Sequence, residues 1–196
     1  MIRNRLKKLI VASAIIGAPL MAASSEYLYD TYSLVGIEGG YSSLDIERSD
    51  TVLPASQKKY NLPHVGLKIG AQTEHYRVFL NACYYSNSDF DYMTTYGADI
   101  QYMFNIASSA NIYMGVGAGV ANMRFLPAGE PNTRTLSEPY FSGDIGTNIH
   151  ITDSSDIELG GRFMSMSATN TINNITYKFD NLITGYVSYI FKFKMD

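Results

Sequence analysis

From Ser33 to Phe193 the chain alternates between apolar side chains and polar or glycine positions, the two-residue period of strands with unlike faces. Eight stretches carry it. "SLVGIEGGYSSLDI" sets Val35, Ile37 and Tyr41 against Gly36, Glu38, Gly40 and Ser42; the next sets Val65, Leu67 and Ile69 against His64, Lys68 and Gln72. Tyr76, Val78, Leu80, Ala82 and Tyr84 oppose Arg77, Phe79, Asn81 and Cys83, and Tyr96 to Phe104 alternate with Thr95, Asp99 and Gln101. "NIYMGVGAGVAN", "PYFSGDIGTNIH", "DIELGGRFM" and "NLITGYVSYIFKF" repeat the habit, with Asp144, Glu158, Arg162 and Lys192 at the polar positions.

Alternation does not say which face is buried: a soluble barrel and a membrane barrel read alike with inside and outside exchanged. Three features favour the membrane reading. Connections alternate, long or medium at residues 47–62, 86–93, 123–137 and 167–177, short near 73–75, 105–110 and 152–155, as between extracellular loops and periplasmic turns. Aromatics gather at strand ends on the apolar face, Tyr76, Tyr102, Phe104, Tyr189, Phe191 and Phe193 toward the short turns, and Tyr41, Tyr84, Tyr96, Phe141 and Phe163 toward the long connections. Such girdles suit lipid–water interfaces. The opposite face carries Glu38, Asp99, Asp144 and Glu158 with Lys68, Arg77, Arg162 and Lys192, which in a narrow lumen must pair. Glu38 with Lys68 and Asp144 with Arg162, on adjacent ribbons at similar depth, are the expected pairs. The chain therefore reads as all-β, an eight-stranded antiparallel up-and-down transmembrane β-barrel.

The N-terminus "MIRNRLKKLIVASAIIGAPLMAASS" has a basic start, a short apolar run from Leu9 to Gly17, and small residues at Ala22–Ser24, the layout of a secretory signal peptide. Residues 1–23 are expected to be removed, leaving 24–196 as the barrel domain. That cleavage takes four of the 15 basic residues and leaves 11 against 18 acidic, a net charge of −7. So acidic a chain, with no basic cluster, argues against nucleic acid as a partner. Cys83, the single cysteine, makes no intramolecular disulfide.

The sequence resembles the small eight-stranded outer-membrane proteins of Gram-negative bacteria, the OmpX, OmpA-barrel and opacity-type group. The resemblance rests on the leader, the eight ribbons, the loop asymmetry and the closing strand "YVSYIFKF", and covers nearly all of residues 24–196. It implies residence in the outer membrane with lipid and lipopolysaccharide, and insertion by the barrel-assembly machinery. That machinery would read the closing strand through Tyr189, Phe191 and Phe193, which here precede Lys194, Met195 and Asp196.

An eight-stranded barrel is just wide enough for side chains to fill it. Gly36, Gly40, Gly115, Gly117 and Gly119 are expected to leave room for Phe79, Tyr113 and Tyr186, so a wide pore is disfavoured and a narrow ion channel is the alternative. "HITDSSDIE" offers His150, Ser154, Ser155 and Glu158 to a lipid A-modifying enzyme, but at the periplasmic end, so no catalytic residue is assigned. His64 and His75 lack partners at metal-ligand spacing, and no metal or cofactor is expected. Function is expected in the loops on a rigid scaffold, a structural or adhesin-like surface role. Loops 47–62 and 123–137 are the candidate ligand surface, with Lys58, Lys59, Arg124 and Arg134 as candidate lipopolysaccharide contacts.

Overall fold

The structure, a computed structural model, describes residues 31–50, 56–87, 90–126, 132–172 and 175–194. The expected leader at 1–23 lies outside the described residues, as does the side chain of Lys58. Eight strands fill the described chain: β1 (Tyr32–Asp50), β2 (Ser56–Gln72), β3 (Tyr76–Asn87), β4 (Phe90–Ala107), β5 (Ala110–Phe125), β6 (Arg134–Thr152), β7 (Ser155–Ile172) and β8 (Ile175–Phe193). Each pairs antiparallel with the next, and β8 returns to β1 to close the sheet. Closure leaves no open edge, which is what lets a sheet sit in hydrocarbon with its backbone satisfied.

The register sets the tilt. Partners followed from Leu34 through Gly70, Phe79, Asp99, Gly117, Ser142, Met164 and Leu182 return to β1 at Leu44, ten residues further on. Ten residues of shear over eight strands inclines them by about 40–45° to the barrel axis. One end is closed by tight turns after Gln72, Ala107 and Thr152. In the first, the Thr73 N–H donates to the Tyr76 carbonyl at 2.8 Å and the Tyr76 N–H donates to Thr73 Oγ1 at 3.3 Å.

The outer wall is apolar between two aromatic girdles. Ile37, Leu67, Val116, Ile145 and Ile183 are 55–63% exposed. Tyr41, Tyr84, Tyr96, Phe141 and Phe163 point outward above them, and Tyr76, Tyr102, Phe104, Tyr189 and Phe191 below; Phe193 is half-buried. Tyr102 is the hub of the lower girdle, with ring centroids 5.1 Å from Tyr76 and 4.8 Å from Phe104, both edge-on. On β6 the outward side chains Phe141 and Ile151 bracket the band. About ten residues at this tilt span roughly 24 Å, close to the roughly 25 Å apolar belt of outer-membrane barrels.

Beyond the upper girdle the structure corrects the sequence reading. The connections expected at 47–62, 86–93, 123–137 and 167–177 are largely strand: β1 runs to Asp50 and β2 starts at Ser56, while β5 runs to Phe125 and β6 starts at Arg134. Along β1 the outward residues Val35, Ile37 and Tyr41 give way to Ser43, Asp45 and Glu47, and the inward Glu38 and Ser42 to Leu44 and Ile46. On β5, Asn122 and Arg124 follow Val120 outward, and Ala121, Met123 and Phe125 turn inward. The faces exchange chemistry while the period of two continues, as expected where the medium outside a barrel wall changes from lipid to water. In the sequence, this exchange of faces looks like the end of a strand and the start of a loop.

Candidate functional site: a charged barrel interior

Because the register climbs ten residues per circuit, side chains at one height are displaced by a little over one residue per strand. Glu38, Lys68, Asp99, Asp144 and Arg162 fall in one interior layer by that rule, each at most 6% exposed. Ions so far from water are tolerable only when paired and hydrogen-bonded. Lys68 Nζ lies 2.8 Å from Glu38 Oε2 and 2.7 Å from Glu158 Oε1. It also sits 4.5 Å from the centroid of the Tyr186 ring, whose other neighbour, the Arg162 guanidinium, is 4.8 Å away. The Tyr186 hydroxyl in turn meets that of Tyr113 at 2.8 Å.

A second tier lies nearer the tight turns after Gln72, Ala107 and Thr152. Arg77 donates from Nη2 to Asp156 Oδ2 at 3.0 Å, from Nη1 to Glu158 Oε2 at 3.3 Å, and from Nε to Gln72 Oε1 at 2.6 Å. Lys192 Nζ reaches Asp156 Oδ1 at 2.7 Å, and the His150 Nδ1 stands 2.8 Å from the same oxygen. Glu158 thus links the tiers, taking Lys68 on one oxygen and Arg77 on the other.

Several expectations change. Asp144 and Arg162 are register partners, yet Arg162 turns to Glu38, at 3.2 Å from Oε1 and 3.4 Å from Oε2. Asp144 instead accepts from Gln101 Nε2 at 2.6 Å and from the Tyr186 hydroxyl at 3.5 Å. The bulky inward rings also find room at other glycines. A Cβ at Gly70 would meet the Phe79 ring at 2.8 Å, and one at Gly160 the Tyr186 ring at 2.6 Å. Gly40 accommodates His64, Gly119 accommodates Tyr140, and Gly115 and Gly117 accommodate Asp144 and Asp99.

Asp156 joins this interior without having been named from sequence; His64, Asn81, Gln101 and Tyr113, read there on the inward face, join the same network. Their signal was parity: each lies an even number of residues from an inward charge on its own strand or, for Tyr113, from the inward glycines. His64 Nε2 contacts Glu38 Oε1 at 3.1 Å and its ring stacks on Tyr85 at 5.0 Å. His75 sits in the tight turn between β2 and β3, 3.8 Å from Glu74. Around "HITDSSDIE" the groups diverge: Glu158 is held by Lys68 and Arg77, His150 by Asp156, and Ser155 Oγ by Thr152 Oγ1 at 2.6 Å.

Above the charged layer the interior is apolar. Leu44, Leu62, Tyr85, Met93, Met123, Phe125, Met164, Met166, Phe179 and Leu182 are buried in one cluster with Cys83 and Tyr140. Phe125 and Phe179 meet edge-on at 5.2 Å across it. Outside this level, Lys59 on β2 stands 3.7 Å from Asp45, and Arg124 on β5 binds Asp91 at 3.0 Å and Thr133 Oγ1 at 3.0 Å. Lys58 lies on β2, and Arg134, exposed, opens β6.

The family of outer membrane protein beta-barrel domains matches residues 10–191. The chain belongs to that family. It is a protein of the outer membrane. Among solved structures it is similar to Neisserial surface protein A, at 15% identity over 83% of this chain and 97% of that one, with a TM-score of 0.60. It is similar to OprG of Pseudomonas aeruginosa, at 12% identity over 87% and 100% of the two chains, TM-score 0.58. The N-terminal barrel domain of Pseudomonas aeruginosa OprF gives 12% identity over 82% and 97%, TM-score 0.52. At these identities the likeness is one of fold. No curated protein matches the sequence.

Proposed function

We propose that this chain is a closed outer-membrane barrel with a structural or surface-interaction role, exported by a leader at residues 1–23, and not a catalyst. The observation that carries the reading is the two-level interior: a buried ion-pair layer centred on Lys68 and Glu158, and above it the apolar cluster around Met93, Met123 and Phe179. Water and ions would have to cross both. The divergence of His150, Ser154, Ser155 and Glu158 supports the non-catalytic part, since a serine nucleophile needs its base and orienting acid in one relay.

Function then falls to the water-facing extension of the barrel and its tips. Lipopolysaccharide is the proposed neighbour, met by Lys58, Lys59, Arg124 and Arg134, with adhesive contacts made from the ends of the β1–β2 and β5–β6 hairpins. Assembly is proposed to read Tyr189, Phe191 and Phe193 on β8.

Conductance in planar bilayers tests the closed interior. The expected result is no steady single-channel current from the folded barrel. A stable, ohmic conductance would favour the narrow-channel reading, in which the charged layer is the filter.

A further inference from the structure

Two buried carboxylates stand apart from the ion-pair network. Among the described residues, Asp99 and Asp144 have no Lys, Arg or His nitrogen within ion-pair distance, although they are 4% and 6% exposed. They occupy the strands flanking β5, and both lean over its inward glycines: Asp144 Oδ1 sits where a Cβ on Gly115 would stand, and Asp99 Oδ1 where one on Gly117 would stand. Ser142 Oγ lies beside the second position, at 2.7 Å.

The groups that donate to them are neutral: two carboxamides and, on Asp144, the Tyr186 hydroxyl. Gln101 and Asn81, 1% and 6% exposed, each use the amide nitrogen on a carboxylate, Gln101 on Asp144 and Asn81 on Asp99. That leaves Gln101 Oε1, Asn81 Oδ1 and Asp144 Oδ1 buried without a donor. Each orphaned amide oxygen is on the same carboxamide as a nitrogen bound to a carboxylate, which keeps it beside that pair. Arg162 Nε is the one buried unpartnered atom among the described residues that only donates, and its guanidinium is committed to Glu38. Buried oxygens of this kind are costly unless something positive or protic is supplied.

We propose that Asp99 and Asp144 hold one hard cation over Gly115 and Gly117, with Asn81 Oδ1 and Gln101 Oε1 as neutral ligands. All donors are oxygens, the set that suits Na+ or Ca2+ and not a soft transition metal. Two residues of strand separate the carboxylate positions by about 7 Å, a span that one ion with a shared water bridges at metal–oxygen distances of about 2.4 Å. The missing Cβ atoms on β5 provide the space.

The test refolds the full chain into detergent in Na+, Ca2+ or N-methylglucamine salts at equal ionic strength. It then reads the thermal midpoint and, after desalting, bound calcium per barrel. The proposal expects a saturable rise in the midpoint with Na+ or Ca2+ over N-methylglucamine, and near one calcium retained if Ca2+ is the better fit. D99N/D144N, or either single variant should the double fail to fold, abolishes both effects; Asn is isosteric and relieves the repulsion of two like charges. Identical midpoints in all three salts with no retained ion would overturn the proposal and leave a proton as the neutralising group. An ion effect kept in the Asn variants would also overturn it, placing the ion on the surface carboxylates.

Discussion

Lys68 on β2 donates to Glu158 on β7 at 2.7 Å, joining residues 90 apart in sequence across the barrel interior. The same ammonium reaches Glu38 on β1, so one cation ties three strands. Replacing it with methionine keeps most of the volume and leaves two carboxylates facing each other in a dry site. Lys68→Met is expected to destabilise the folded barrel by about 3–5 kcal/mol, as for breaking a buried pair from one side. Urea unfolding from lipid vesicles measures it. Lys68→Met with Glu158→Gln is expected to cost less than the two single changes added together.

The exchange of faces above the upper girdle predicts where an outward charge becomes tolerable. Val116 and Asn122 lie on the same outward face of β5, six residues apart. Val116→Arg is expected to cost about 2–4 kcal/mol, the penalty for arginine at the bilayer midplane. Asn122→Arg, in the water-facing extension, is expected to stay within about 0.5 kcal/mol. Equal penalties at the two positions would place the lipid boundary elsewhere.

Glycines on the two faces are expected to respond oppositely. Gly160 is packed against the Tyr113 hydroxyl and the Tyr186 ring, whereas a Cβ on Gly185 meets nothing within 4 Å. Gly160→Val is expected to lose about 1–3 kcal/mol or more by overpacking, and Gly185→Ala to change stability by less than about 0.5 kcal/mol. Heat-dependent gel mobility ranks the variants quickly.

How far the sequence carried the structure depended on whether parity alone decided a residue's place. Lys68 and Arg77 were legible as inward because their neighbours at odd spacing were all apolar, and the Lys68–Glu38 contact followed from two adjacent strands at one depth. The choice of Arg162 between Asp144 and Glu38 was not legible. It turns on side-chain reach across a lumen whose shear of ten sets which distant strands face each other, and no short window contains that number. Met123 and Phe125, which fell in the connection expected at 123–137, were missed for a different reason. Their inward placement needs the height of the lipid boundary, since an apolar side chain points out below it and in above it.

The proposed function requires an interior closed to water, and the native chain carries its own probe of it. Cys83 is the single cysteine and lies 4% exposed in the apolar cluster, 3.8 Å from Glu38 of the charged layer. A charged, membrane-impermeant methanethiosulfonate reagent, applied to the folded barrel in lipid from either side, is predicted to leave Cys83 unmodified by mass spectrometry until the barrel is unfolded. Rapid modification of the folded protein would contradict the account and show a water-filled path through the lumen.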